Sequence, residues 1–160
     1  MDRETESLAK RVGVLLSAGG WTVTTAESCT GGGVATAITA IPGCSQWFEG
    51  GYISYANHIK ESMLGVSSEL IVRYGAVSEQ VVTAMALGAA EKANADFAVA
   101  ISGVAGPTGG TLRTPVGTVW FACRGSRGVV TEKHLIQGDR SQVRDSSVKI
   151  SLRQLLHQLQ

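Results

Sequence analysis

Residues 21–40 read WTVTTAESCTGGGVATAITA. The first six, WTVTTA, are rich in β-branched residues and alternate, which predicts a strand. Three glycines at 31–33 follow, and VATAITA after them is a run of small residues that predicts a helix packed closely on a neighbour. A strand that passes into a helix through a polar, glycine-rich turn is the unit from which α/β sheets are built. The turn itself holds Glu27, Ser28, Cys29 and Thr30. It reads in three ways: a source of a nucleophile, a cradle for a phosphate, or a tight turn and nothing more.

The same alternation of patterns extends in both directions. Upstream, Leu8, Val12, Leu15 and Leu16 recur at helical spacing until Gly19 and Gly20 stop them. Downstream, Pro42 and Gly43 end the small-residue helix, and FEGGYISYA (48–56) predicts a strand whose glycine pair marks a bulge or a close backbone approach. NHIKESMLG (57–65) reads as a short helix with Asn57 as N-cap and Gly65 as C-cap, and SSELIVRYG (67–75) repeats the plan. Ser78 caps a longer helix with Val81, Val82, Met85, Ala86 and Ala89 on one face. DFAVAISGVAG (96–106) is an apolar strand running into a glycine-rich loop, as buried α/β strands do. VGTVWFACR (116–124) and VVTEKHLIQ (129–137) predict a hairpin, and Asp139 caps a last helix that buries Val148, Leu152, Leu155, Leu156 and Leu159. The order α-β-α-β-α-α-α-β-β-β-α predicts an α/β fold, a three-layer α/β/α arrangement with a mixed β-sheet, in a single domain over residues 1–160.

Composition narrows the function. With 44% hydrophobic and 17% charged residues the chain can bury a substantial core, so disorder is excluded. A net charge of +1 supplies no global field for nucleic acid or an anionic membrane, so neither is expected as a partner. No apolar run approaches the roughly 20 residues of a membrane span, and the charged start MDRETESLAKR lacks a signal-peptide core. A cytoplasmic protein is expected. Cys29, Cys44 and Cys123 are odd in number and form no CxxC pair, and His58, His134 and His157 match no metal-ligand spacing. Neither a metal nor a cofactor is expected.

Three polar, glycine-rich segments adjoin predicted strands: residues 27–32, 102–110 and 138–140. Ligands of open α/β sheets sit beyond strand ends, glycines admit an anion to the backbone, and Arg140 or its neighbour Arg144 supplies a bidentate phosphate contact. The set points to a phosphorylated small molecule. There is no GxxxxGK[ST] loop; Gly31, Gly33 and Thr36 match only part of GxGxxG, with no acidic residue at the ribose position. A second constellation, CSQWFEGGYISYANHIK (44–60), carries Ser45, Tyr55 and Lys60. A serine hydroxyl needs a base, and a lysine whose pKa is lowered by burial can be one, with a tyrosine to relay the proton. The same residues also read as an N-cap, a half-buried strand residue and a solvated helix charge.

Taken together, TVTTAESCTGG, WFEGGYISYANHIKESMLGV, YGAVSEQVV, AISGVAGPTGG, PVGTVWFA and GDRSQVR resemble the CinA C-terminal domain family, in order and over nearly the whole chain. The resemblance implies hydrolysis of nicotinamide mononucleotide to nicotinic acid mononucleotide and ammonia, an α/β/α fold, no metal and a homo-oligomer. It places the nucleophile on Ser45 and its proton-handling partners on Tyr55 and Lys60. Nucleotide-binding positions fall on Ser28, Thr30, Gly31, Gly32, Ser102, Gly106 and Arg140. Where the family commonly has a lysine directly before PVGTV, this chain has Thr114, with Arg113 one residue earlier. That departure leaves a non-catalytic nucleotide-binding or regulatory paralogue as the alternative. On this reading the loop at 25–33 binds substrate, Glu27 orients polar groups or a ribose, or is a buried charge bonded to the backbone, and Ser28 is the second candidate nucleophile.

Overall fold

The computed structural model describes residues 1–160. Its elements follow the predicted order: α1 (Arg3–Gly19), β1 (Val23–Glu27), α2 (Gly33–Thr39), a 3-10 turn (Cys44–Gln46), β2 (Phe48–Ile53), α3 (Asn57–Leu64), α4 (Ser68–Tyr74), α5 (Glu79–Ala93), β3 (Phe97–Gly103), β4 (Thr118–Gly125), β5 (Gly128–Leu135) and α6 (Arg140–Leu159). The strands form one mixed sheet in the order β2-β1-β3-β4-β5, with β1 parallel to β2 and β3, and β4 antiparallel to both of its neighbours.

Alternation along the strands decides which layer lies on which face. Val99, Ile101, Val119, Phe121 and Cys123 point to α1, α2 and α6 and form the larger core. Ala98, Ala100 and Ala122 point the other way, to α5 and the short helices. Alanines there let the backbone of α5 lie close to the sheet, and the helix presents Val81, Val82, Met85, Ala86 and Ala89 as predicted.

Helix ends follow local chemistry. Ser67, Ser78 and Asp139 each accept a hydrogen bond from the N–H three residues on, and Asp139 with Gln142 completes a capping box. Asn57 does not cap α3: Ala56 holds the cap position with extended backbone, and Asn57 is the first helical residue. The glycine pair in β2 marks both expected features. Pairing to β1 skips Glu49, and a Cβ on Gly51 would stand 2.5 Å from Thr25 Oγ1.

Candidate active site

Four strands, β1, β2, β3 and β5, run the same way and deliver their carboxyl ends to one edge of the sheet. From β1 the chain goes outward to β2 and then returns to the other side of β1 as β3, which makes the end of β1 a topological switch point. Ser28 is the first residue beyond that end, and its N–H is tied to Ile101 O of β3 at 3.1 Å.

The loop after Ser28 is built around Glu27. This carboxylate is 1% exposed and accepts four hydrogen bonds: from Thr30 Oγ1 (2.6 Å) and from the N–H groups of Gly32 (3.1 Å), Val34 (3.0 Å) and Ala35 (2.8 Å). Two of those N–H groups, on Val34 and Ala35, belong to the first turn of α2, which otherwise lacks acceptors. Gly31 and Gly32 adopt positive φ of 59° and 97°, a conformation that turns the chain back over the carboxylate. Glu27 is therefore the buried charge bonded to the backbone, not a group presented to a ligand. Thr30 and the Gly32 N–H are likewise committed inside the loop.

Lys60, in the first turns of α3, is 1% exposed. Its Nζ lies 3.1 Å from Ser28 Oγ, 2.9 Å from Ser54 O and 2.8 Å from Tyr55 O. No carboxylate pairs with it. Burial without a counter-charge pushes its pKa below that of an ordinary lysine. As an ammonium it donates to all three oxygens. As a neutral amine it keeps two N–H donors for the two carbonyls and turns its lone pair to the Ser28 hydroxyl, which then donates to it. The geometry thus suits both protonation states, as a base that takes and returns a proton requires.

The structure separates Ser45 from this pair. Ser45 is exposed on the 3-10 turn at the amino end of β2, whereas Ser54, Tyr55 and Lys60 follow its carboxyl end. Six residues of strand at about 3.3 Å each put about 20 Å between the two ends. Tyr55 serves Lys60 through its backbone carbonyl, while its side chain is 57% exposed and its hydroxyl accepts from Arg140 Nη2 at 3.2 Å. Arg140 Nη1 donates to Gly106 O at 2.9 Å, which draws together the ends of β2, β3 and β5. Ser102, 1% exposed, donates to Ala76 O at 2.8 Å and braces the loop before α5. Arg144 reaches from α6 to Cys29 O (3.0 Å) and Thr30 O (3.3 Å). Arg113 is exposed, and the Thr114 N–H is bonded to Thr111 Oγ1.

By sequence Ser28 ranks second to Ser45, because it precedes a helix start suited to an anion while Ser45 has Tyr55 and Lys60 close downstream; the lysine that meets Ser28 lies 32 residues away. A signal was available: if β1 and β2 are parallel, residues before β2 and residues after it lie at opposite edges of the sheet, and only the latter meet the end of β1. The backbone bonding of Glu27 is one of the two readings its sequence allows, whereas the sequence carries no sign that Arg144 grips the Cys29 and Thr30 carbonyls rather than a phosphate.

Residues 5–159 match the CinA C-terminal domain family. The chain is 51% identical over 158 residues to the nicotinamide-nucleotide amidohydrolase PncC of Escherichia coli (strain K12), covering 98% of this chain and 96% of that protein. It is 51% identical over 150 residues to the protein of the same name from Pseudomonas putida, with 94% of each covered. Among solved structures, the competence/damage inducible protein CihA of Agrobacterium tumefaciens superposes with a TM-score of 0.97 at 38% identity, covering 100% of this chain and 98% of that one.

Proposed function

The chain belongs to the CinA C-terminal domain family, and from that premise we propose that it hydrolyses the carboxamide of nicotinamide mononucleotide to nicotinic acid mononucleotide and ammonia, with Ser28 as the nucleophile and Lys60 as its base. The amidohydrolase names of the relatives from E. coli and P. putida support the reaction. One observation carries the assignment of residues: a buried lysine without a counter-charge, 3.1 Å from a serine hydroxyl at the sheet's switch point.

The chemistry closes on these two groups. Neutral Lys60 takes the Ser28 proton as Oγ bonds to the amide carbon, and the carbonyl electron pair moves onto oxygen. Lys60 returns the proton to the amide nitrogen, the C–N bond breaks and ammonia leaves. Water then attacks the ester, again giving its proton to Lys60, and Ser28 is released with its hydroxyl restored. Arg140, exposed on the rim between Tyr55 and Gly106, has donors to spare beyond its two bonds and suits the nucleotide phosphate. Three free thiols agree with action in the reducing cytoplasm.

Ammonia release by Ser28→Ala and Ser45→Ala tests the assignment. Ser28→Ala is expected to lose turnover and keep nucleotide affinity, because the lost contact belongs to the transition state. Ser45→Ala is expected to behave like the unmutated protein. The opposite pattern returns the nucleophile to Ser45. No ammonia from the unmutated protein favours a non-catalytic nucleotide-binding role.

A further inference from the structure

Attack on an amide places negative charge on the carbonyl oxygen, and the donors that stabilise it must be in place beforehand. In the loop after Ser28 most N–H groups are spent: Gly31 on Ser28 O (3.0 Å), Gly32 on Glu27 (3.1 Å) and Gly33 on Thr30 O (3.0 Å). The N–H groups of Cys29 and Thr30 donate no hydrogen bond within the chain, although both residues are buried. Buried N–H groups without an acceptor are rare and call for an explanation. Their carbonyls, in contrast, are both held by Arg144, from Nε to Cys29 O and from Nη2 to Thr30 O.

A trans peptide holds its C=O and N–H antiparallel. Drawing the Cys29 carbonyl toward α6 therefore turns the N–H of the same peptide, that of Thr30, the opposite way. The loop is gripped on a second side by Glu27, through Thr30 Oγ1 and the Gly32 N–H. We propose that the N–H groups of Cys29 and Thr30 form the oxyanion hole of the Ser28 reaction, and that Arg144 is the positioning residue that aims the Thr30 N–H by holding Cys29 O of the same peptide and steadies the loop through Thr30 O, while the bond from the Gly31 N–H to Ser28 O fixes the peptide that carries the Cys29 N–H. This rests on the reading of Ser28 as nucleophile. Arg144 thereby acts on the reaction through the backbone, not on the substrate phosphate.

The test compares Arg144→Ala and Arg144→Lys with the unmutated protein in ammonia release from nicotinamide mononucleotide. It adds binding of a substrate analogue with an aldehyde in place of the carboxamide, which forms a tetrahedral adduct with a serine. Arg144→Ala is expected to lower kcat about 10- to 100-fold with KM nearly unchanged, and to weaken the aldehyde by the same factor. Guanidinium ion in the buffer is expected to restore part of the turnover, and Arg144→Lys to fall between. A raised KM with unchanged kcat assigns Arg144 to the phosphate and overturns the proposal. So does a loss of kcat with undiminished aldehyde affinity, which marks a merely structural residue. Should Arg144→Ala fail to fold, Arg144→Lys, which keeps the charge, carries the same comparison. Ser28→Ala, measured alongside, separates the two readings. Turnover that survives it removes the nucleophile and the hole together. Turnover lost there but intact in Arg144→Ala removes only the role of the arginine.

Discussion

Replacing Lys60 by methionine separates what this residue does for the reaction from what it costs the fold. Methionine fills nearly the same volume without the charge. The loss is three hydrogen bonds, to Ser54 O, Tyr55 O and Ser28 Oγ, and of these the hydroxyl at the mouth of the site can turn to another partner. An orphaned buried acceptor costs about 1–3 kcal/mol, and Tyr55 O, only partly buried, can turn to water. The gain is removal of a cation that is 1% exposed and has no carboxylate partner, a burden of several kcal/mol. The net expectation is a more stable protein near pH 7, by about 1–2 kcal/mol, or roughly 2–8 °C in Tm for a chain of this length. The difference must depend on pH. Burial lowers the Lys60 pKa in the folded state, while the unfolded chain titrates near 10.4. Between those values the unfolded state binds more protons, so the unmutated protein gains stability as pH rises. Below the folded value the penalty is complete and constant. The advantage of Lys60→Met should thus be largest at neutral pH and shrink toward pH 10. Urea unfolding from pH 6 to pH 10 measures it, and ammonia release should fall by about 10²–10⁴ in the same variant. A variant less stable at every pH, by a constant amount, would refute the idea that the amine is held in an unfavourable, partly neutral state.

Two further substitutions probe the scaffold. Glu27→Gln exchanges one accepting oxygen for a donor that faces the N–H and hydroxyl groups of the loop. It should cost about 1.5–3 kcal/mol in denaturant unfolding and lower kcat through the displaced Ser28 loop, whereas an unchanged unfolding midpoint would deny Glu27 that function. Gly88→Ala places a Cβ 2.0 Å from Leu64 O at the crossing of α3 and α5. Backbone cannot yield cheaply there, so a loss of about 1–3 kcal/mol is expected, and a neutral effect on Tm would show that α3 shifts freely.

What the residues determined alone were the features with short-range causes. Strand and helix periodicity placed the five strands and six α-helices, though not the 3-10 turn at Cys44–Gln46, because each side chain must face a core or water wherever the chain goes. Ser67, Ser78 and Asp139 marked helix starts through bonds that span three residues. The exception at Asn57 belongs to the same scale, since Ala56 and Asn57 compete for one position. The repeated strand–loop–helix order and the final hairpin were enough for a mixed sheet between two helical layers, and the motifs spread along the chain carried the family resemblance. Tertiary structure decided which polar residues meet. Ser28 and Lys60 come together only because β1 and β2 are parallel neighbours whose carboxyl ends share an edge, and that geometry sends Ser45 to the far end. Glu27 turned inward because the N–H groups opening α2 lay within reach of a carboxylate buried with them. The pairing of Arg144 with Cys29 and Thr30 spans more than a hundred residues and exists only after α6 has docked on α2. Contacts of this kind arise from the packing of whole layers, for which no local pattern of residues is a sufficient cause.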